Sequence, residues 1–232
     1  VRFSEALAAA RAAGRAPVIS EVKCVSPKEG DLLAGRDPAA LARTMESAGA
    51  ACISVVTEPR NFGGSIDLLR AVAGAVSVPV LRKDFVTCRE DVWATREAGG
   101  SCLLLMVCMT DWPLLVDLHR EAHEAGIETL VEVREESELE KALTLDLDLL
   151  GINNRDIRVL ERDDGTVANT IDLIRKVPSG VMVISESAIS TPDEVRAVLD
   201  AGASGVLVGT SILRSPDTAE AVRRLASAAM SS

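Results

Sequence analysis

The chain has few positive charges and few aromatics. Its 25 lysines and arginines are outnumbered by 35 acids, giving a net charge of -10 and a pI near 4.8. A surface of that sign repels phosphate backbones, so a nucleic-acid partner is excluded. A local basic pocket for one small phosphate is not. Five cysteines form no C-x-x-C pair and no metal-ligand spacing, and their number is odd. They read as reduced, buried small hydrophobes, which fits a cytoplasmic setting and no structural metal. No apolar run approaches the length of a membrane span, and no signal peptide is read. Linkers rich in Gly, Ser or Pro are also missing. Residues 1–232 are therefore expected to form one domain, and a monomer or weak homo-oligomer is expected. Tyrosine is absent and phenylalanine occurs three times, so few positions can supply an aromatic wall.

What is present is a regular alternation. Eight short apolar runs, at 17–23, 51–56, 78–83, 101–107, 128–133, 149–153, 181–187 and 205–209, alternate with helical segments. Several helices carry start signals at Asp37-Pro38, Ser65, Asp111 and Thr191-Pro192, and stops at Gly49, Gly99, Gly126 and Gly202. The alanine-rich stretch over residues 2–15 reads as a short N-terminal helix. Continuous apolar strands separated by amphipathic helices signal a parallel sheet covered by helices. Eight strand–helix units are the number that closes an α/β barrel, and the first strand is not followed by the G-x-G-x-x-G of an open dinucleotide-binding sheet. The expected fold is a single (β/α)8 TIM barrel with a short N-terminal helix.

Barrels of this kind place chemistry at the C-terminal ends of their strands. Polar residues stand there, two positions after apolar or small ones: Glu21 and Lys23 on the first strand, Lys83 on the third, Glu132 on the fifth, Asn153 on the sixth and Glu186 on the seventh. Each alone could be a solvated strand end or half of an ion pair. Burying unpaired charge costs several kcal/mol per ion, so convergence of three acids, two lysines and an amide calls for a charged ligand. The small-residue turns ISESAIS and LVGTSILR follow strands seven and eight, the usual phosphate cradle of the fold. Backbone N–H groups of Ala188, Gly209 and Thr210 are the candidate donors.

Two other features read differently. His119 and His123 in HREAH stand one helical turn apart, but the Glu of H-E-x-x-H is missing and no third ligand is apparent, so no metal site is assigned. The charged run after Glu132 reads as a solvated helix face.

The stretches EVKCVSPKEGDL, ISVVTEPRNFGGSIDLLRAV, VPVLRKDF, LVEV, GINNRDI, ISESAIS and LVGTSILR occur in this order from about residue 16 to 214. In these motifs the chain resembles the indole-3-glycerol phosphate synthase family of tryptophan biosynthesis. The resemblance implies the substrate 1-(2-carboxyphenylamino)-1-deoxyribulose 5-phosphate and a ring closure with loss of carbon dioxide and water, without metal or organic cofactor. It implies Lys83 as general acid and Glu132 as general base, with Glu21 and Lys23 orienting and polarising the substrate. It further implies Asn153, Glu186 and Ser187 on the sugar hydroxyls and the carboxylate. Ser26, Phe62, Phe85 and Arg155 complete the substrate-binding set.

Two departures bear on these expectations. Ala188 stands where the family usually has glycine, which is tolerable at negative φ and strained at positive φ. The family also carries a helical segment that helps cover the mouth. Only residues 1–15 precede the first strand, so that cover is expected to be partial. Two other readings stay open on the residues alone: a sugar-phosphate isomerase or epimerase on the same barrel, and a non-catalytic phosphate-binding barrel.

Overall fold

A computed structural model describes residues 1–159 and 165–228. The eight expected strands form: β1 (Val18–Val22), β2 (Cys52–Val56), β3 (Val80–Lys83), β4 (Cys102–Met106), β5 (Glu128–Val133), β6 (Leu149–Asn153), β7 (Val183–Glu186) and β8 (Gly205–Val208). All neighbouring pairs are parallel, and β1 pairs with both β2 and β8, so the sheet closes into a barrel. The helices that follow are α1 (Phe3–Ala12), α2 (Pro38–Ser47), α3 (Ile66–Ala73), α4 (Arg89–Glu97), α5 (Trp112–Glu124) and α6 (Glu136–Ala142). Then come α7 (Ala168–Ile174), α8 (Pro192–Asp200), the short α9 (Thr210–Leu213) and α10 (Thr218–Ala226). Among the described residues no helix is long and apolar enough to cross a membrane.

The start signals work through side-chain caps. Asp37 accepts from Ala40 N, Ser65 from Leu68 N and Thr191 from Glu194 N, each satisfying a helix-terminal donor. Asp111 sits at the cap position of α5 but makes no such bond; Pro113 in the first turn does the work of starting that helix instead. Gly49, Gly99, Gly126 and Gly202 end their helices at positive φ, as expected of closing glycines.

Side-chain parity sorts the apolar residues into two shells. Ile19, Cys52, Leu81, Leu104, Leu130, Ile184 and Leu207 fill the barrel interior in one cluster. Their sequence neighbours Val18, Ile53, Val80, Val131, Val183 and Val206 pack outward against the helices. Glu21, Lys83, Glu132 and Glu186 share the inward parity with the first set, one step nearer the C-terminal end.

The N-terminal helix is not a cover for the mouth. It closes the opposite end of the barrel. Phe3 joins the interior cluster as a plug, and the Glu128 carboxylate at the start of β5 accepts from Phe3 N (2.5 Å), Ser4 N (3.1 Å) and Ser4 Oγ (2.5 Å). A buried carboxylate is tolerated there because the helix N-terminus offers unpaired donors and a positive dipole, and Arg2 adds a cation at 3.0 Å. At the mouth the segment after β1 folds instead into a small hairpin, Val25–Ser26 against Gly30–Asp31. The cysteines also depart from expectation: Cys52 and Cys102 are buried, but Cys24, Cys88 and Cys108 are only half-buried.

Because Phe3 is fully buried beneath the barrel, Phe3→Ala should lower the unfolding free energy by about 3 kcal/mol, read from urea denaturation.

Candidate active site

Closing the barrel brings the inward polar residues together. Lys83 Nζ lies 2.8 Å from Glu186 Oε2 and 3.3 Å from Glu132 Oε2, bridging β3 to β5 and β7. Lys23 Nζ lies 3.2 Å from Glu21 Oε1 and 5.8 Å from the centre of the Phe62 ring, within cation–π range. Space for two of the acids comes from glycines on adjacent strands. A Cβ on Gly151 of β6 would collide with Glu186 Oε1, and one on Gly209 after β8 would collide with Glu21 Oε1.

Two cavities meet at this cluster. The first and smaller is walled by Phe62, Phe85, Val56, Leu104, Met106 and Ile157. The second and larger is lined by Arg155, Ser187, Ala188, Gly209, Thr210 and Arg214 among others. Glu21, Lys23 and Lys83 border both. The arrangement suits a molecule with a flat apolar end, an anionic end, and a reacting centre between them.

The electrostatics follow from burial. Glu186, with no solvent exposure, has its carboxyl pushed up to about 8, chiefly by desolvation, with Lys83 pulling the other way and Glu132 adding to the rise. For Lys83, burial disfavours the ammonium, but the charges of Glu186, Glu132 and Glu21 together outweigh it and hold the group well above its ordinary value. The lysine is thus a proton carrier that stays charged. Among the described residues, Glu21 Oε2 and Glu186 Oε1 are buried without a hydrogen-bond partner and face whatever enters.

The phosphate-side turn is strained. Ser187 has φ 65° and Ala188 φ 56°, both left-handed, so Ala188 falls in the strained case of the two that its sequence left open. Arg155 borders the larger cavity, and its buried Nε has no partner among the described residues. Asn153 is buried at the end of β6, with Oδ1 accepting from Arg155 N at 3.0 Å. Ser26 lines neither cavity; its Oγ accepts from Lys28 N and Glu29 N, each at 3.3 Å, and so shapes the hairpin turn. Ser26 is therefore brought to the loop over the mouth, not to the cavity wall.

Several residues that shape the site were not apparent from the sequence. Glu58 accepts from the backbone N–H groups of Arg60, Asn61 and Phe62, which fixes the loop carrying the Phe62 ring. Arg82, on the outward parity beside Lys83, donates to Asp84, Asp91, Thr57 and Thr95 and ties the ends of β2 and β3 to α4. Asn154 and Gly151 lie within GINNRDI, where the motif points to Asn153 and Arg155 alone.

The histidine pair has a third neighbour after all. Asp148 Oδ2 lies 2.7 Å from His123 Nε2, and potential ligand atoms of His119, His123 and Asp148 fall within 4.8 Å of one another. Both rings are already engaged. His119 Nε2 faces the Asp146 carbonyl, which can only accept, so Nδ1 accepts from Thr129 Oγ1 at 2.8 Å. Arg2 holds the other oxygen of Asp148. These groups clamp α5 to the starts of β5 and β6, at the end of the barrel away from the cavities.

The sequence profile described as indole-3-glycerol phosphate synthase matches residues 1–225. The indole-3-glycerol phosphate synthase of Pyrococcus furiosus is 41% identical over 222 residues, spanning 95% of this chain and 96% of its own. That of Thermococcus kodakarensis is 42% identical, over 94% of this chain and 95% of its own. That of a Nocardioides species is 45% identical, over 93% and 81%.

Two measurements follow from these energetics. Glu186 holds its proton to about 8 when folded, against 4.5 as the ordinary value, so the folded state binds the extra proton between those pH values. Its contribution favours folding below about pH 4.5 and is lost as pH rises towards 8. Glu186→Gln should flatten the fall in stability across that window, seen as a smaller pH dependence of the urea midpoint. Ala188→Gly should raise stability by about 0.5–1 kcal/mol, because relief of left-handed strain exceeds the added unfolded-state entropy.

Proposed function

The chain belongs to the indole-3-glycerol phosphate synthase family, and from that premise we propose that the cluster around Lys83 closes the indole ring of 1-(2-carboxyphenylamino)-1-deoxyribulose 5-phosphate. One observation carries the reading. A charged lysine stands between two buried carboxyl groups where an apolar cavity meets a polar one.

The anthranilate ring lies against Phe62, Phe85 and Leu104 in the smaller cavity, where its apolar faces gain from leaving water. The phosphate lies in the larger cavity on the backbone N–H groups of Ala188, Gly209 and Thr210, with Arg155 as the nearby cation. The ring carbon bearing the carboxylate attacks the C2 ketone, and Lys83 donates a proton to the ketone oxygen as the carbon–carbon bond forms. Carbon dioxide then departs, and the electrons of its bond restore the aromatic ring. Glu132 next removes a proton from C1, while the C2 hydroxyl leaves as water with a proton from Lys23, which borders the same cavities as Lys83. The new double bond completes the indole.

Glu21 holds Lys23 and Glu132 faces Lys83 as counter-charges, while the Glu186 carboxyl helps orient Lys83; Asn153, Glu186 and Ser187 hold the sugar hydroxyls and the substrate carboxylate. A general acid and a general base serve one substrate when both reach it, and Lys83 and Glu132 stand 3.3 Å apart on adjoining walls of the smaller cavity. Every group in this scheme comes from one chain, so a monomer suffices. The reaction needs no electron carrier, because no carbon is oxidised by an external acceptor.

Lys83→Ala should lower kcat/KM by about a thousand-fold in an assay following indole fluorescence from the carboxyphenylamino substrate. Unchanged turnover would remove Lys83 from the mechanism. Turnover of phosphoribosylanthranilate instead, by the wild-type protein, would favour an isomerase.

A further inference from the structure

Behind the strained turn, on the outer side of the barrel wall, lies a closed ring of hydrogen bonds. Asn154 Nδ2 donates to Ser185 Oγ at 3.1 Å; Ser185 Oγ and Thr170 Oγ1 are 2.7 Å apart; Thr170 Oγ1 donates to Asn154 Oδ1 at 3.0 Å. Thr170 N also donates to Asn154 Oδ1, at 3.1 Å. The donor directions are forced. An amide oxygen can only accept, so the Thr170 hydroxyl points to Asn154, and the Ser185 hydroxyl must then donate to Thr170. Asn154, Thr170 and Ser185 are all buried, which makes each of these bonds costly to lose.

The ring fixes the Asn154 amide plane, and the amide uses its remaining donor capacity on the turn. The remaining Nδ2 hydrogen is shared between the carbonyl oxygens of Glu186 (3.0 Å) and Ser187 (3.1 Å), while Asn154 N donates to the Glu186 carbonyl at 2.9 Å. In a trans peptide the C=O and the following N–H point in opposite directions. Drawing the Ser187 carbonyl outward to Asn154 therefore turns the Ala188 N–H inward, on the side where Ala188 lines the larger cavity. The same grip holds two successive left-handed residues in a conformation that neither would adopt unaided.

We propose that Asn154 is a positioning residue: it aims the Ser187–Ala188 turn, and with it the Ala188 N–H, at the phosphate group of the substrate. The inference rests on the synthase reading for the identity of that phosphate. Asn154 touches no ligand. Its effect passes through two backbone carbonyls.

Asn154→Asp keeps the oxygen that faces Thr170 and removes the two N–H donors. Thr170→Val removes one link of the ring with little change of shape and leaves the amide less firmly held. Inorganic phosphate binding is measured by calorimetry on the full chain, alongside binding of a phosphate-free N-alkyl anthranilate. For Asn154→Asp, phosphate affinity should fall about ten-fold or more, KM should rise more than kcat falls, and anthranilate affinity should change less than about two-fold. Thr170→Val should shift phosphate affinity in the same direction by about two- to three-fold, and it carries the test if the aspartate variant does not fold. Equal weakening of both ligands would reduce Asn154 to general scaffolding and overturn the proposal, as would unchanged phosphate affinity in a folded variant. Failure of the wild-type protein to bind phosphate at all would instead count against the synthase reading on which the proposal stands.

Discussion

A lysine ammonium buried inside a closed barrel is the constraint around which the rest is arranged. Moving an ion from water into such an interior costs several kcal/mol, and the cost is met only by close counter-charges with good geometry. Lys83 has Glu132 at 3.3 Å and, beside it, the Glu186 carboxyl at 2.8 Å as a hydrogen-bond partner that becomes a second counter-charge once its proton is lost. Those carboxyl groups need room in a layer that aliphatic side chains would otherwise fill. Gly151 makes that room for Glu186, and Gly209 does so for Glu21. Charge and glycine are thus two halves of one packing solution, and the result is a pair of oxygens, Glu21 Oε2 and Glu186 Oε1, left without partners among the described residues. A fold that only needed to be stable would not keep them.

The division of the mouth into two compartments follows from the same layer. On the β2–β4 side the strand ends carry Val56, Phe85 and Met106, and the loop held by Glu58 adds Phe62, so that side is apolar. On the β7–β8 side the chain turns with small residues whose backbone comes close to the cavity. With so few aromatic residues in the chain, two of the three phenylalanines wall the apolar compartment, and the third plugs the opposite end of the barrel.

Much of this was legible in the sequence because strand parity is rigid. Residues two apart share a face, so Lys83 after Leu81, Glu132 after Leu130 and Glu186 after Ile184 could be set on the inner wall before any contact was known. The motif order carried the family as well. What escaped was whatever depends on long-range packing. The N-terminal helix looked like a partial lid, but its apolar face and Phe3 bury under the barrel, and the Glu128 carboxylate meets its N-terminus. Asp148, 25 residues from His123, could not be paired with it by spacing. Asn154 has the outward parity that signals mere packing, and only the joint position of α7 and β7 reveals its ring of partners. Ser26 was assigned to the ligand from its motif, whereas its hydroxyl is used by its own turn.

The account stands most directly on where a product-sized ligand lies. A crystal structure with indole-3-glycerol phosphate should show the indole against Phe62 and Phe85, the phosphate at Ala188 and Gly209, and Lys83 Nζ within about 3 Å of a polar atom of the ligand or of Glu132 and Glu186 beside it. An indole seated at the Ala188 turn, or a ligand bound with Lys83 turned away from it and from both carboxylates, would contradict the account.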